Sequence, residues 1–203
     1  MTESMDTPKN ISKTLLLICC GATLLLGLLV GFVAGVASTN AGSEFLESIV
    51  SLERPAEIDD PKSVERPKFH LSYPGNWEVA DDEEDYDPDT HFSIDSPGDA
   101  FTMFMIGEGE IDPVDTVQQQ VLAFRRIMPN LTTENFGEFG QYSAAAAKMK
   151  GRMFGIPTTV WAYSFQHEGH AFIVTEQCAD EDLQNVEPGF KLIRESFQIE
   201  EVE

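Results

Sequence analysis

The chain is poor in cysteine and in positive charge, and it carries no recognisable catalytic signature. Of its three cysteines, Cys19 and Cys20 lie in an apolar run near the N-terminus, and Cys178 is alone in the remainder. A disulfide within that remainder is therefore excluded, so its fold must rest on an apolar core. Cys178 sits in a strand-like stretch and reads as a small buried residue, not as a nucleophile. Only 13 Lys and Arg oppose 35 Asp and Glu, a net charge of −22. Such a chain is no partner for nucleic acid and has no electrostatic reason to lie on anionic lipid. There is no Ser-His-Asp arrangement, no Gly-rich phosphate loop, no CxxC pair and no internal repeat.

What the chain does have is a run of 23 residues without charge, Leu15 to Ala37. As a helix it would extend roughly 35 Å, enough to cross a bilayer core of about 30 Å. The run is longer than the apolar core of a signal peptide, and no A-x-A site closes it. Residues 14–38 are therefore predicted to form an uncleaved, single-pass membrane helix. Lys9 and Lys13 precede it, and no Lys or Arg follows until Arg54. That bias places tail 1–13 in the cytoplasm and everything beyond the helix outside the cell membrane. The first 13 residues balance two acids against two bases, so the whole negative excess is extracytoplasmic. Gly27, Gly31 and Gly35 recur at four-residue spacing on one helix face, where a second helix can approach closely.

Residues 39–67 read as an acidic linker interrupted by Pro55, Pro61 and Pro67, since proline disfavours helix at its own and the preceding position. The remaining 68–203, about 135 residues, are the size of one domain. Phe69, Leu71 and Tyr73 alternate with His70 and Ser72, a half-buried strand. Pro74-Gly75 marks a turn, and Trp77 to Val79, Phe92 to Ser96 and Phe101 to Ile106 read as further strands. Pro113 to Met128 is the clearest helix. Asp112 can cap it, Pro113 suits its first position, Val114, Val117, Val121 and Phe124 share a face, and Arg125 and Arg126 favour its end. A strand from Leu131 to Phe136 comes next. Ala145 to Met153 alternates small apolar residues with Lys148, Lys150 and Arg152. Thr158–His167 and His170–Cys178 form a hairpin around Glu168-Gly169, with Phe165 opposite Phe172 and Tyr163 opposite Val174. A helix from Glu187 to Ser196 and a short edge strand from Phe197 to Ile199 close the chain. Hairpin-linked strands with helices inserted between and after them indicate an antiparallel α+β domain.

The opening Phe69-His70-Leu71-Ser72-Tyr73-Pro74-Gly75-Asn76-Trp77, the helix after a run of strands, the hairpin stretch Lys148–Cys178 and the ending Phe190-Lys191-Leu192-Ile193-Arg194-Glu195-Ser196-Phe197 together resemble the PsbP/Mog1 superfamily. The resemblance covers about Lys68 to Glu200. It implies an α/β/α sandwich with a central antiparallel sheet behind the membrane helix. Members are generally binding or assembly factors, and the resemblance supplies no catalytic residues.

Three constellations are candidates for binding. Asp85, Asp87 and Asp89 lie in an acidic run, Asp81 to Asp89, and present carboxylates that Ca²⁺ prefers. The EF-hand pattern fails, because Thr90 stands where Gly is needed and Ser96 where Glu is needed. The alternative is a solvated loop, so at most weak Ca²⁺ binding is expected and no cofactor. His167 and His170 face each other across the hairpin mouth and offer two metal ligands, short of a closed site. Lys148, Lys150 and Arg152 form the one dense positive stripe, which either docks an anionic partner or pairs with acids on neighbouring strands.

The reading that follows is a membrane-anchored extracytoplasmic binding or assembly module without catalytic activity, bacterial by its resemblance and chain style. Its protein partner is unknown. The alternative is a cation-dependent extracytoplasmic enzyme or metal-binding protein. The glycine face predicts a homodimer through the membrane helix, because a groove of glycines lets backbones touch. Crosslinking in membranes should show dimer for the native chain and monomer for Gly31→Ile, at equal membrane insertion; an unchanged dimer band would remove the glycine face from the account.

Overall fold

The computed structural model of the chain describes residues 53–81 and 87–200. Tail 1–13, the expected membrane helix 14–38 with Gly27, Gly31 and Gly35, and Asp85 lie outside the described residues. Among the described residues no helix is long and apolar enough to cross a membrane.

A seven-stranded, wholly antiparallel sheet organises the domain. It is built from β3 (Glu78–Ala80), β4 (His91–Asp95), β5 (Phe101–Glu108), β6 (Thr132–Phe139), β7 (Tyr142–Met153), β8 (Ile156–His167) and β9 (His170–Ala179). Their spatial order is β3-β4-β5-β9-β8-β7-β6. A second, three-stranded sheet joins β1 (Lys62–Arg66), β2 (Phe69–Tyr73) and β10 (Gln198–Ile199).

Helix α1 (Pro113–Ile127) forms where its sequence signals converge. Asp112 accepts hydrogen bonds from the amides of Val114 and Asp115, Pro113 occupies the first turn, and Arg125 and Arg126 lie in the last. Phe124 and the following Met128 bury one face against Met149, Val160 and Ala162. Helix α2 (Leu183–Ser196) packs on the opposite face of the large sheet, with Val186, Phe190 and Ile193 buried against Trp161, Tyr163 and Cys178. Residues two apart on a strand share a face, and β8 shows it: Val160 and Ala162 serve the α1 side, Trp161 and Tyr163 the α2 side. The result is the expected sandwich, with a helix on each side of a central antiparallel sheet.

The hairpin between β8 and β9 has the register expected from the sequence. Phe165 lies opposite Phe172, Tyr163 opposite Val174 and His167 opposite His170. Glu168 and Gly169 take φ of 46° and 78°, the left-handed pair that matches the twist of two antiparallel strands.

Two boundaries differ from the sequence reading. Lys62–Arg66, read as linker, forms β1, with Val64 buried opposite Leu71. Pro61 and Pro67 therefore bracket a strand. Helix α2 begins at Leu183, four residues before the Glu187 expected, and carries Pro188 inside it. Proline at that point reads as a helix start in sequence, but burial of Val186 beneath the first turn outweighs the missing amide bond.

The α2-side core is mainly aromatic. Phe69 has no exposed surface and stacks on Phe92, Phe104 and Phe197 at centroid distances of 5.8, 6.3 and 5.4 Å. Replacing Phe69 by Ala should cost about 3–5 kcal/mol through lost burial and a residual cavity. Leu122, 56 % exposed on the outer side of α1, should tolerate Ala within about 0.5 kcal/mol. Urea unfolding followed through Trp77 and Trp161, both buried, will measure the contrast.

Candidate functional site: a cavity at the end of helix α2

A cavity of about 320 Å³ opens where the C-terminal half of α2 meets the β6–β8 end of the large sheet. Phe136 and Glu138 of β6, Gly140 of the following turn, Trp161 and Tyr163 of β8, and Lys191, Arg194 and Glu195 of α2 line it. Each element has a local reason to be there. The ladder between β6 and β7 shifts register between Phe136 and Glu138. Such a shift breaks the regular alternation of an edge strand and re-aims its side chains. Gly140, with φ of 57°, brings the turn backbone against the Arg194 carbonyl, where any Cβ would clash. Phe136 meets Tyr163 edge to face at 5.5 Å, which sets the aromatic wall.

Behind that wall lies the most heavily engaged ionic cluster of the domain. Glu176 on β9 is fully buried, in register between Trp161 of β8 and Thr102 of β5. Its Oε2 accepts from Arg194 at 2.5 Å and from the Tyr163 hydroxyl at 3.0 Å. Arg194 also donates to Tyr163 Oη at 3.3 Å and to Glu187 Oε1 at 3.0 Å. Glu176 Oε1 has no hydrogen-bond partner among the described residues. Burial raises Glu176 to about 7, and the Arg194 charge offsets only part of that rise. Tyr163 is raised as well, by burial and then by the neighbouring Glu176. Burial works against the Arg194 charge, but Glu176, Tyr163 and Glu187 together raise its affinity for the proton. Glu176, Tyr163 and Arg194 therefore staple β9 and β8 to α2 and hold the cavity floor rigid.

The basic stripe read from the sequence lies beside this cavity. Lys148 Nζ sits 5.0 Å above the Trp161 ring, a cation–π contact on a residue that lines it. Lys150 is exposed on the same face, and Arg152 donates to the Gly155 carbonyl at 2.5 Å, within its own turn. Five of the eleven Lys and Arg among the described residues lie on β7 and α2.

The other candidates lie elsewhere. His167 and His170 are opposite each other, with the His167 ring edge-on to Tyr142 at 5.7 Å. Glu108 is in register with His170 on the next strand and lies 3.5 Å from Lys68. Asp87 accepts from the Asp89 amide at 3.0 Å, and Asp89 lies 3.8 Å from Arg66. Among the described residues no three His, Cys, Asp or Glu side chains are arranged to hold a metal ion. Cys178 is buried, and burial followed by the nearby Asp180 raises its thiol, which keeps it protonated.

Sequence reasoning missed Glu176 and Arg194. The signal was available: Phe172, Val174, Glu176 and Cys178 share one face of β9, and a lone carboxylate in such a row needs a buried cation.

No protein-family model matches the chain, and no curated protein matches it. Solved structures do. The chain is similar to Mog1p, a Ran-binding protein of Saccharomyces cerevisiae, at 8 % identity and a TM-score of 0.50, over 69 % of this chain and 95 % of that one. A point variant of Mog1 matches at 9 % identity and 0.51, over 69 % and 96 %. The cyanobacterial PsbP of Synechocystis matches at 11 % identity and 0.47, over 70 % and 94 %. The Mog1 likeness shows the fold. The domain has a Mog1-like fold.

The buried pair makes a pH-dependent prediction. Arg194→Ala strands the Glu176 carboxylate and should cost about 3–5 kcal/mol at pH 8. The cost should shrink at pH 5, where Glu176 accepts a proton. In the native chain Glu176 holds its proton more tightly when folded, so its contribution to stability is full below about pH 4.5 and is lost as pH rises from there to about 7. Glu176→Gln should remove that part of the slope. Urea titrations of the three proteins at both pH values test this.

Proposed function

We propose that the chain is a membrane-anchored, extracytoplasmic binding or assembly module without catalytic activity. It takes an anionic protein partner at the cavity and the adjoining stripe of Lys148, Lys150 and Arg152. The observation that carries this reading is the junction of the two: an aromatic cavity whose wall, Trp161, is overlain by Lys148. In a chain of net charge −22, Lys148, Lys150 and Arg152 beside a cavity of aromatic rings and mixed charge, Glu138 and Glu195 with Lys191 and Arg194, offer an anionic partner the densest group of cations. Arg194 supports the wall from behind through Glu176 and Glu187 and leaves the outer cations to the partner. The Mog1-like fold supports the same class, since Mog1p is itself a Ran-binding protein. The uncharged run 15–37 supports the anchor, and the lysines before it support the external placement.

A second reading, a cation-dependent extracytoplasmic enzyme or metal-binding protein, draws on one register. His167 and His170 stand opposite each other on β8 and β9, a pair of ligands without a third arranged beside them among the described residues. Two experiments separate the readings. Native chain and Lys148→Glu/Lys150→Glu variant should be crosslinked in membranes and purified. A specific protein recovered with the native chain should be lost, by about tenfold or more, from the variant. Calorimetry should show little heat at micromolar Ca²⁺ or Zn²⁺. A stoichiometric transition abolished by His170→Ala or Asp87→Ala would promote the metal reading instead.

A further inference from the structure

Glu53 opens the segment 53–61 that leads into β1. This segment is fastened to the first turn of α2 and to the turn between β2 and β3. The Ala56 amide donates to the Asn185 carbonyl at 3.0 Å, the Glu57 amide to Asn76 Oδ1 at 2.9 Å, and the Gly75 amide to the Glu57 carbonyl at 2.9 Å. The Glu53 carboxylate itself sits in a built cradle. Ser96 Oγ donates to it at 2.6 Å, while the same Oγ accepts from the amides of Gly98 and Ala100. A Cβ on Gly98 would overlap the Glu53 carboxylate, so the turn is shaped to that side chain.

The surroundings of this cradle are acidic. Asp99 lies in the same turn, and Asp182 immediately precedes α2. Asp182 occupies the N-cap position yet makes no side-chain cap, is only 7 % exposed, and its Oδ2 has no partner. Asp99 from the β4–β5 turn acts on Glu53 electrostatically, and Asp99, Glu53 and Glu181 from the approach to α2 act on Asp182. Asp180, Glu187, Asp182 and Asp99 act together on Cys178 at the end of β9. Among the described residues no Lys or Arg side chain forms an ion pair with Glu53, Asp99, Glu181 or Asp182.

We propose that Glu53, Asp99 and Asp182 form a proton-operated latch that fixes segment 53–61 on the domain. When all three are ionised, their mutual repulsion and the orphaned Asp182 oxygen oppose docking. A proton on the cluster removes a charge and supplies a hydroxyl donor, which an ionised carboxylate lacks. Burial raises Glu53, Asp99 and Asp182 alike. It brings Asp182 to about 6, with Asp99, Glu53 and Glu181 adding to the effect. The docked form therefore binds protons more tightly than the released form, whose carboxyls titrate near about 4. The latch closes as pH falls through about 6, and gains nothing further once both forms are protonated. In a chain anchored as proposed above, this sets how firmly the domain is held to the segment nearest the membrane. The latch itself does not depend on that anchor.

The test is amide hydrogen exchange on the full chain in detergent with EDTA, corrected for intrinsic exchange, at pH 7.5 and 5.0. Protection of the Ala56 and Gly75 amides should rise about tenfold at the lower pH relative to amides in β8, whose own change reads the gain in global stability that Glu176 brings. Asp182→Asn, neutral at both pH values, should show high protection throughout and a change below about threefold. Asp99→Asn serves as the second variant should Asp182→Asn alter β8. Equal native protection at the two pH values, or an undiminished tenfold change in both variants, overturns the latch. Loss of partner capture by the Lys148→Glu/Lys150→Glu variant has no bearing on these amides, so the two proposals fail separately.

Discussion

Phe197 is the contact on which the rest of the domain depends. It follows α2, and its ring lies within 5.4 to 6.1 Å of the rings of Phe69, Phe104, Phe139, Tyr142, Phe165 and Phe172. Those six residues come from β2 of the small sheet and from β5, β6, β7, β8 and β9 of the large one. One side chain thus joins both sheets to the end of α2. With Cys178 as its single cysteine the domain can form no internal disulfide to do this, and its charge opposes compaction, so aromatic burial must supply the cohesion. Ser196 beside it reinforces the join, accepting from the Ser72 amide at 2.8 Å and donating to the Leu192 carbonyl at 2.7 Å.

The cavity is a consequence of how that join is made. Aromatic packing around Phe197 pulls the last turn of α2 toward β7 and β8, but β6 departs from regular pairing before it reaches the helix. The space left between them is the cavity. A carboxylate and a guanidinium buried behind its wall are expensive unless matched, and here they are matched by Tyr163 and Glu187 as well. That arrangement rigidifies the floor of a site whose outer cations remain turned toward solvent. At the other end of α2 the reverse holds: Glu53, Asp99 and Asp182 act on one another, and among the described residues none of them forms an ion pair. One helix therefore carries a carboxylate paired with a cation near its end and carboxylates without one at its start.

Much of the domain was legible in the sequence because its signals are local. Helix α1 announced itself through Asp112, Pro113 and the spacing of Val117 and Phe124, and the β8–β9 register followed from Glu168-Gly169 and the period of two. Strand β1 was not legible, because Lys62–Arg66 buries one residue, Val64, and takes its strand form from pairing with β2. The start of α2 was hidden by Pro188, whose local preference loses to the burial of Val186. The role of Lys148 was half legible: its place in a basic stripe is a matter of alternation, but its seat over Trp161 depends on which strand lies alongside.

The sequence by itself determined the charge, the absence of a disulfide within the domain, the long apolar run, the antiparallel α+β class and the strand faces. All of these depend on composition or on spacings of two to four residues. Only the tertiary structure decided where charges from distant segments meet. Glu176 and Arg194 are separated by the end of β9, the loop before α2 and about three turns of the helix, and Glu53 and Asp182 stand at opposite ends of the domain's sequence. Whether such groups stabilise, titrate or bind depends on the burial and distance imposed on them, and those are properties of the packed layers.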